Sequence, residues 1–283
     1  MTVPEFTAAA LIDAWRFDAV TVLAVVVVGG GYAVVARARP LHDRVFFTSG
    51  CALWLWVGCG FPGVFGGQLF WARALGVVVS LTVIPLLLAA GRPVTAIASG
   101  RGGRRLLLRA AGTRGVRVAT SPQVTSIVFL GVPWLLYLTP WYRAVLESAA
   151  VDALTGLLLV AVGSLYYYAR LQIDPVPVRR HAGVSLLITV GESLGDGVLG
   201  VVLWQGPMLA AAYYQGLHRD WGPSPRTDQT IGAGVLWILG DVLSLPLLLL
   251  LMRRMRDDDR DHRTTEPDEP WFLTDPRFAD RFR

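Results

Sequence analysis

The chain has 283 residues, of which 53% are hydrophobic and only 17% are charged, with a formal net charge of +5. Soluble domains carry about a quarter charged residues, so this composition indicates a membrane protein. All 26 basic residues are arginines. Without a lysine amine no retinal or pyridoxal Schiff base can form, which excludes a light-driven retinal pump.

Several stretches reach about 20 mostly apolar residues, the length that a helix needs to cross a bilayer. They are residues 18–36, 46–66, 69–90, 123–141, 149–170, 182–204 and 229–252. The sequence therefore predicts an all-α polytopic membrane protein with seven transmembrane helices. Acidic residues precede the first stretch, where a signal peptide would have basic ones, so we expect this helix to be retained.

Arginines alternate between the loops and thereby set the orientation of the predicted helices. Three follow the first helix, and seven lie in the loop of residues 91–122 without any acidic residue among them. The loop after the second helix has no charged residue, and the other loops on that side have one or two arginines. The positive-inside rule places the N-terminus outside and the C-terminus in the cytoplasm.

We expect three parts in the chain: an external N-terminal segment of residues 1–17, a membrane domain of residues 18–252, and a disordered cytoplasmic tail of residues 253–283. The tail is dense in charges of both signs and has no apolar period. The basic loop 91–122 is expected to lie against anionic lipid headgroups rather than to bind nucleic acid. The lack of lysine, with abundant Ala, Gly and Val, suggests a bacterial plasma membrane protein.

Three carboxylates are predicted to lie near the middle of the bilayer. Glu192 and Asp196 are one turn apart on the sixth helix, and Asp241 lies within the seventh. Ionisable groups inside a membrane are costly, so this cluster is a candidate proton or cation site. The alternative is that these groups are protonated or bonded to nearby hydroxyls. No inverted repeat or pair of broken helices supports a transport pathway.

Arg73 on the third helix and Asp152 on the fifth lie at matching depth near the outer ends of their helices. Opposite charges at one depth predict an ion pair between the two helices. The alternative is that Arg73 extends to the outer interface, with its charged end in water.

Candidate metal ligands are few. The four histidines lie in loops, at helix ends or in the tail, which argues against haem bound between helices. Met208, His218 and Cys59 are the weak candidates for copper on the outer side, because copper needs several His, Met or Cys ligands at one point. No P-loop, nucleophile elbow or HExxH motif occurs, so we expect no enzymatic activity.

The most specific motif lies where the seventh helix begins. Residues 221–241 read WGPSPRTDQTIGAGVLWILGD, in which two prolines precede the pair Asp228 and Gln229. We expect Asp228 to cap the first turn of its own helix, where its carboxylate accepts from free amides. We expect Gln229 to face a neighbouring helix or loop.

This stretch resembles the last-helix signature of the CtaG family of cytochrome c oxidase assembly proteins. The signature positions are Asp228, Gln229, a glycine at 232 or 234, and Trp237. The first, third and fifth predicted helices resemble the family more loosely. The resemblance implies a seven-helix protein that helps a haem-copper oxidase to mature, in copper delivery or as a scaffold. Oxidase subunits or copper chaperones would be its partners.

The family also has histidine pairs near the outer ends of its third and fifth helices, which are plausible copper ligands. The corresponding positions hold Arg73 and Val77 on the third helix, and Asp152 and Gly156 on the fifth. None of the four is a histidine. Our hypothesis is that the ion pair of Arg73 and Asp152 replaces a metal cross-link. The alternative functions are a proton- or cation-coupled transporter and a structural subunit of a larger membrane complex.

Overall fold

Helices form all the regular structure that the computed structural model describes, which covers residues 6–7, 9–171 and 182–243. They are α1 Ala10–Asp13, α2 Ala19–Val35, α3 Leu41–Cys59, α4 Phe61–Phe65, α5 Phe70–Leu81, α6 Val83–Ala90, α7 Pro93–Ala98, α8 Arg101–Gly112, α9 Arg114–Ala119, α10 Pro122–Leu138, α11 Trp141–Glu147, α12 Ala149–Leu171, α13 Ala182–Gln205, α14 Ala211–Gly216 and α15 Pro225–Gly234. A π-helical segment, Val235–Leu239, continues α15. The predicted all-α class is confirmed for these residues. The predicted tail of residues 253–283 lies outside them.

Within the described ranges, three helical stretches are long and apolar enough to cross a membrane on their own: Leu41–Phe65, Phe70–Ala98 and Ala149–Leu171. A fourth results if Gln123–Leu138 and Trp141–Glu147 form one span, although the two helices are bent by 69°. The helices α2, α13 and α15 lie where the first, sixth and seventh spans are predicted. A count of seven spans, and their orientation, stay predictions.

The third predicted helix is interrupted at Thr82, which separates α5 from α6. Pro85 explains the break, because it has no N–H to donate to the carbonyl of Leu81. Gly163 of α12 packs at this point: a Cβ atom there would lie 2.2 Å from the Leu81 carbonyl oxygen and 2.5 Å from Pro85. The break and the glycine together let α12 approach the α5–α6 junction closely.

The helix α5 lies at the centre of the protein and packs against α3, α12 and α15. Ala72 and Ala74 on this helix have no exposed surface, and Phe70 at its start is also buried. The packing of α13 against the π-helical segment depends on small residues. The side chain of Trp237 lies against Gly197 and Gly200, where an added Cβ would come within 3.0 and 2.7 Å of it.

The basic loop between the third and fourth predicted spans contains the short helices α7, α8 and α9. On α8 the side chains of Leu106 and Leu108 are 66% and 65% exposed. Arginines flank them at positions 104, 105 and 109. Exposed leucines beside arginines are typical of a helix that lies on a membrane surface.

Candidate functional site

The carboxylate of Asp228 caps a different helix from its own. Its Oδ2 accepts a hydrogen bond from the backbone N–H of Phe70 and its Oδ1 accepts one from Trp71, both at 3.0 Å. These residues begin α5, and the residue before them, Leu69, makes no side-chain cap. Arg219 Nη2 lies 3.4 Å from Asp228 Oδ2, and both side chains are buried. The carboxylate therefore satisfies free amides of α5 and neutralises a buried arginine.

The expectation that Asp228 caps its own helix is wrong. The helix α15 begins one turn earlier than predicted, with Pro225 at its first position, and Ser224 is its N-cap. Ser224 Oγ accepts a hydrogen bond from the backbone N–H of Thr227 at 3.3 Å. The backbone N–H of Asp228 already donates to the Ser224 carbonyl, so its side chain is free to reach α5.

Gln229 holds the end of α13 and the loop that follows it. Its Nε2 donates to the carbonyls of Leu203 at 2.8 Å and Pro207 at 3.0 Å. Its Oε1 accepts from the backbone N–H of Leu209 at 2.7 Å. The side chain is almost completely buried. A single amide thus satisfies three backbone groups, one of them a carbonyl in the last turn of α13.

Gly232 lets α15 approach the start of α5. A Cβ at this position would lie 2.2 Å from Cδ1 of Phe70, whereas one at Gly234 would meet no atom within 4 Å. Of the two candidate glycines, Gly232 is therefore the one that the packing requires. Together with Asp228, Gln229 and Trp237, it forms one interface through which α15 and the π-helical segment contact α5 and α13.

Arg73 and Asp152 join α5 to α12. Arg73 Nη1 lies 2.5 Å from Asp152 Oδ1, and Arg73 Nε donates to the Gly66 carbonyl at 2.9 Å. Arg16 Nη2 lies 3.6 Å from Asp152 Oδ2, so the N-terminal segment also contacts this carboxylate. The Arg73 side chain is only 15% exposed. Its guanidinium therefore points into the protein and not out to the interface.

A cavity of about 90 Å³ lies beside this ion pair. Arg73, Val77, Asp152 and Gly156 all line it. The four positions assigned to the family's histidine pairs therefore face one space, between α5 and α12. The hydroxyl-bearing residues that line it are Thr21, Ser80 and Thr155.

The residues around this cavity do not fit a copper ion. An arginine is cationic, and valine and glycine have no side-chain ligand atom, so Asp152 is the one ligand among the four positions. Across the described ranges, no group of three or more His, Cys, Asp or Glu side chains could hold a metal ion. The weak candidates give no better set: His218 is exposed and its Nδ1 lies 2.8 Å from the Gly216 carbonyl, while Cys59 is a buried free thiol. Met208 is partly buried in the loop after α13.

The predicted cluster of intramembrane carboxylates is described in part. Asp196 is half-buried and lines a small cavity of about 30 Å³, together with Gly240. Asp241, the residue after Gly240, is also half-buried, and both carboxylates take part in polar interactions. The side chain of Glu192 lies outside the described part of the chain.

Sequence reasoning missed a group of tyrosines near Arg73. The hydroxyls of Tyr142 and Tyr214 lie 2.7 Å apart, and the rings of Tyr137 and Tyr142 are 5.2 Å apart. Tyr213 donates to the carbonyl of Gly67 at 3.0 Å. Burial raises the pKa of the Tyr214 hydroxyl, so this group stays protonated and able to donate. The adjacent tyrosines 213 and 214 are a visible signal, but their partners are distant in sequence.

The family model for the cytochrome c oxidase caa3 assembly factor, Caa3_CtaG, matches residues 24–258. The chain belongs to the CtaG family. The family membership expected from the signature is thereby confirmed. The matched range includes the interface around Asp228 and Gln229 and the cavity beside Arg73 and Asp152. The CtaG match thus covers both parts of the candidate site.

Curated relatives of this CtaG-family chain occur in mycobacteria. The uncharacterized proteins Mb0105 of Mycobacterium bovis and MT0111 of Mycobacterium tuberculosis are each 25% identical to it over 273 residues. These alignments cover 90% of the chain and 41% of each relative. The uncharacterized protein ML1998 of Mycobacterium leprae is 27% identical over 88% of the chain and 40% of its own length. The chain therefore spans about two fifths of these relatives. No solved structure matches it.

Proposed function

We propose that this protein is a non-enzymatic scaffold for the assembly of a cytochrome c oxidase in a bacterial plasma membrane. It crosses the membrane seven times, with its N-terminus outside, and its partners are subunits of the immature oxidase. The family match supports the oxidase, and the charge alternation between loops supports the orientation.

One observation supports a scaffold over a copper carrier. The positions assigned to the family's histidine pairs line one cavity, and the ion pair of Arg73 and Asp152 lies beside it. The guanidinium places a positive charge where a copper ion would have to bind, and it neutralises the carboxylate that could have acted as a ligand. An ion pair holds two helices at a fixed distance without metal.

The outer ends of the helices are suited to this role because side chains fix their relative positions. Asp228 ties α15 to α5, Gln229 ties α15 to the end of α13, and Arg73 ties α5 to α12. Each of these contacts is largely shielded from water. Electrostatic interactions are stronger in such an environment than in water. The result is a rigid outer surface on which an oxidase subunit is held during assembly.

The test is deletion of the gene, followed by optical spectra of haem a in isolated membranes. The proposal predicts a decreased haem a signal that returns when the gene is supplied on a plasmid. A normal signal in the deletion strain would overturn it. A tagged chain should also capture newly made oxidase subunits in less than stoichiometric amounts, since an assembly factor leaves the finished enzyme.

Two other functions predict different results. A structural subunit would stay with the mature oxidase, or with another complex, in a one-to-one ratio through purification. A transporter built on Glu192, Asp196 and Asp241 would move protons or cations when the chain is reconstituted alone in vesicles. Neither result is expected from an assembly scaffold.

A further inference from the structure

An apolar groove of about 390 Å³ opens between α12 and the helices α2, α3, α6 and α7. One of its walls is a stripe on α12, where residues three and four positions apart share one face of the helix. This stripe consists of Ala161, Ser164, Leu165 and Tyr168. The opposite wall is apolar and includes Phe47, Leu88, Pro93 and Val94. The volume falls in the range of about 300–1,000 Å³ that is typical of ligand pockets.

The groove lies toward the basic end of the protein. The helix α3 begins there at Leu41, α6 ends there at Ala90, and α12 ends there at Leu171. Residues 36–48 contain three arginines and residues 91–121 contain seven, against the single carboxylate of Asp43. Asp43 is itself paired with Arg39 and His42. The arginines of this end therefore leave a large excess of positive charge beside an apolar groove.

Arg92 stands directly before Pro93, a residue of the groove wall, and its backbone is strained. Its φ angle is 51°, in the left-handed region that favours glycine. No carboxylate of the described residues forms an ion pair with it. Strained backbone positions cluster at functional sites, so the Arg92 side chain is a candidate for a binding role.

We propose that the groove binds an acyl chain of an anionic phospholipid, whose phosphate lies beside Arg92 and the neighbouring arginines. The apolar walls shield the acyl chain from water, and the guanidinium groups donate charge-assisted hydrogen bonds to the phosphate oxygens. Basic sites beside transmembrane helices on the cytoplasmic side bind anionic headgroups by the same chemistry. This lipid site is independent of the proposed role in oxidase assembly.

The test measures lipid retention by native mass spectrometry after exchange into mixed micelles of phosphatidylglycerol and phosphatidylcholine with identical chains. The wild type is expected to retain phosphatidylglycerol in preference to phosphatidylcholine. Arg92→Gly should lower that preference about fivefold, the equivalent of ~1 kcal/mol for one arginine near an anionic surface. Its thermal stability should be unchanged or higher, because glycine relieves the strained backbone.

Two further variants test the groove itself. Leu165→Trp fills the groove and should abolish retention of both lipids. Ala161→Leu is a smaller change that should weaken retention, and it replaces the tryptophan variant in the test if that variant does not fold. Leu154→Trp is the matched control, since Leu154 is exposed on the same helix but does not line the groove. Equal retention of the two lipids by the wild type would overturn the proposal. So would unchanged retention in the groove variants, or a second copy of the chain in place of lipid.

Discussion

Asp228 caps the helix that begins at Phe70, with its carboxylate oxygen 3.0 Å from the Phe70 backbone nitrogen. The capped helix, α5, also contains Arg73, whose guanidinium binds Asp152 on α12. The first turn of α15 thus fixes the start of α5, and through it the position of the ion pair. This relationship connects the family signature to the cavity where the family's histidines are expected.

Asp228→Ala should be strongly destabilising. It removes the cap of α5 and leaves Arg219 buried without its carboxylate. Loss of a cap costs about 0.5–2 kcal/mol, and breaking a buried pair costs about 3–5 kcal/mol. We therefore expect a large fall in the unfolding temperature in detergent. Ser224→Ala, which removes the exposed cap of α15 itself, should cost about 1 kcal/mol. Equal effects of the two variants would contradict the account.

Gly232 and Gly234 form a matched pair of sites on one helix. Gly232→Ala should destabilise the protein by about 1–3 kcal/mol, because its Cβ would overlap the ring of Phe70. Gly234→Ala should be neutral or stabilising by up to about 1 kcal/mol, since alanine favours the helix and the site is open. Thermal unfolding of both variants in the same detergent checks the difference. A reversed order would show that the α15–α5 contact is wrong.

The ion pair of Arg73 and Asp152 can be tested by charge reversal. Arg73→Asp and Asp152→Arg should each decrease the amount of folded protein, because each places two like charges together on α5 and α12. The double variant should recover most of the loss. The amount of folded protein is measured by size-exclusion chromatography of a fluorescent fusion. Additive losses in the double variant would contradict an ion pair between these two residues.

The exposed pair of Arg143 and Glu147 on α11 is the control for that experiment. Its side chains are 66% and 47% exposed. Exposed pairs of this spacing contribute about 0.3–0.5 kcal/mol. The same reversals at these two positions should therefore leave the amount of folded protein nearly unchanged.

Histidines placed at the four cavity positions should create a copper site. The variant combines Arg73→His, Val77→His, Asp152→His and Gly156→His, and a Cβ at Gly156 meets no atom within 4 Å. We expect it to bind about one copper ion per chain, because imidazole is a good copper ligand and the four positions face one cavity. The wild type should bind none. The measurement is metal content after equilibrium dialysis against copper.

The control carries histidines in place of Leu154 and Leu158. These positions have the spacing of the family's histidine pairs but are exposed on α12. It should bind copper much more weakly than the cavity variant. Equal binding by the control would mean that the cavity geometry contributes nothing. Stoichiometric binding by the wild type would contradict the proposed role as a scaffold.

The intramembrane carboxylates provide a further test of function. Glu192→Gln and Asp241→Asn keep hydrogen-bonding capacity but remove the negative charge. Both variants should restore haem a in the deletion strain as well as the wild type does. Loss of function in both, with the protein still present in the membrane, would favour the transporter.

The sequence predicts the positions of the long apolar helices well. Residues 149–170 are predicted as a span, and α12 is Ala149–Leu171, because a long apolar run with polar ends marks its own limits. The start of α15 is less well predicted. The apolar stretch begins at residue 229, whereas the helix begins at Pro225 with Ser224 as its N-cap. Its first turn is polar, so an apolar pattern does not indicate it.

In the candidate site, too, some contacts could be predicted from the sequence and others could not. Arg73 and Asp152 could be paired from the sequence because both are rare charges at matching depth in apolar helices. The contact of Asp228 with Phe70 could not, since 158 residues separate them and a local pattern indicates a cap for the nearest helix. The partners of Gln229 were likewise not predictable as particular residues, because they are backbone groups in the last turn of α13 and in the loop after it.

The most direct test of the central claim is the effect of added copper on a strain that lacks the gene. Haem a spectra and the copper content of the oxidase are measured in membranes from cells grown with and without extra copper. The account predicts that both stay low in the deletion strain at either copper level and recover when the gene is restored. Recovery with copper alone would contradict the account, because the role of the protein would then be to supply copper and not to act as a scaffold.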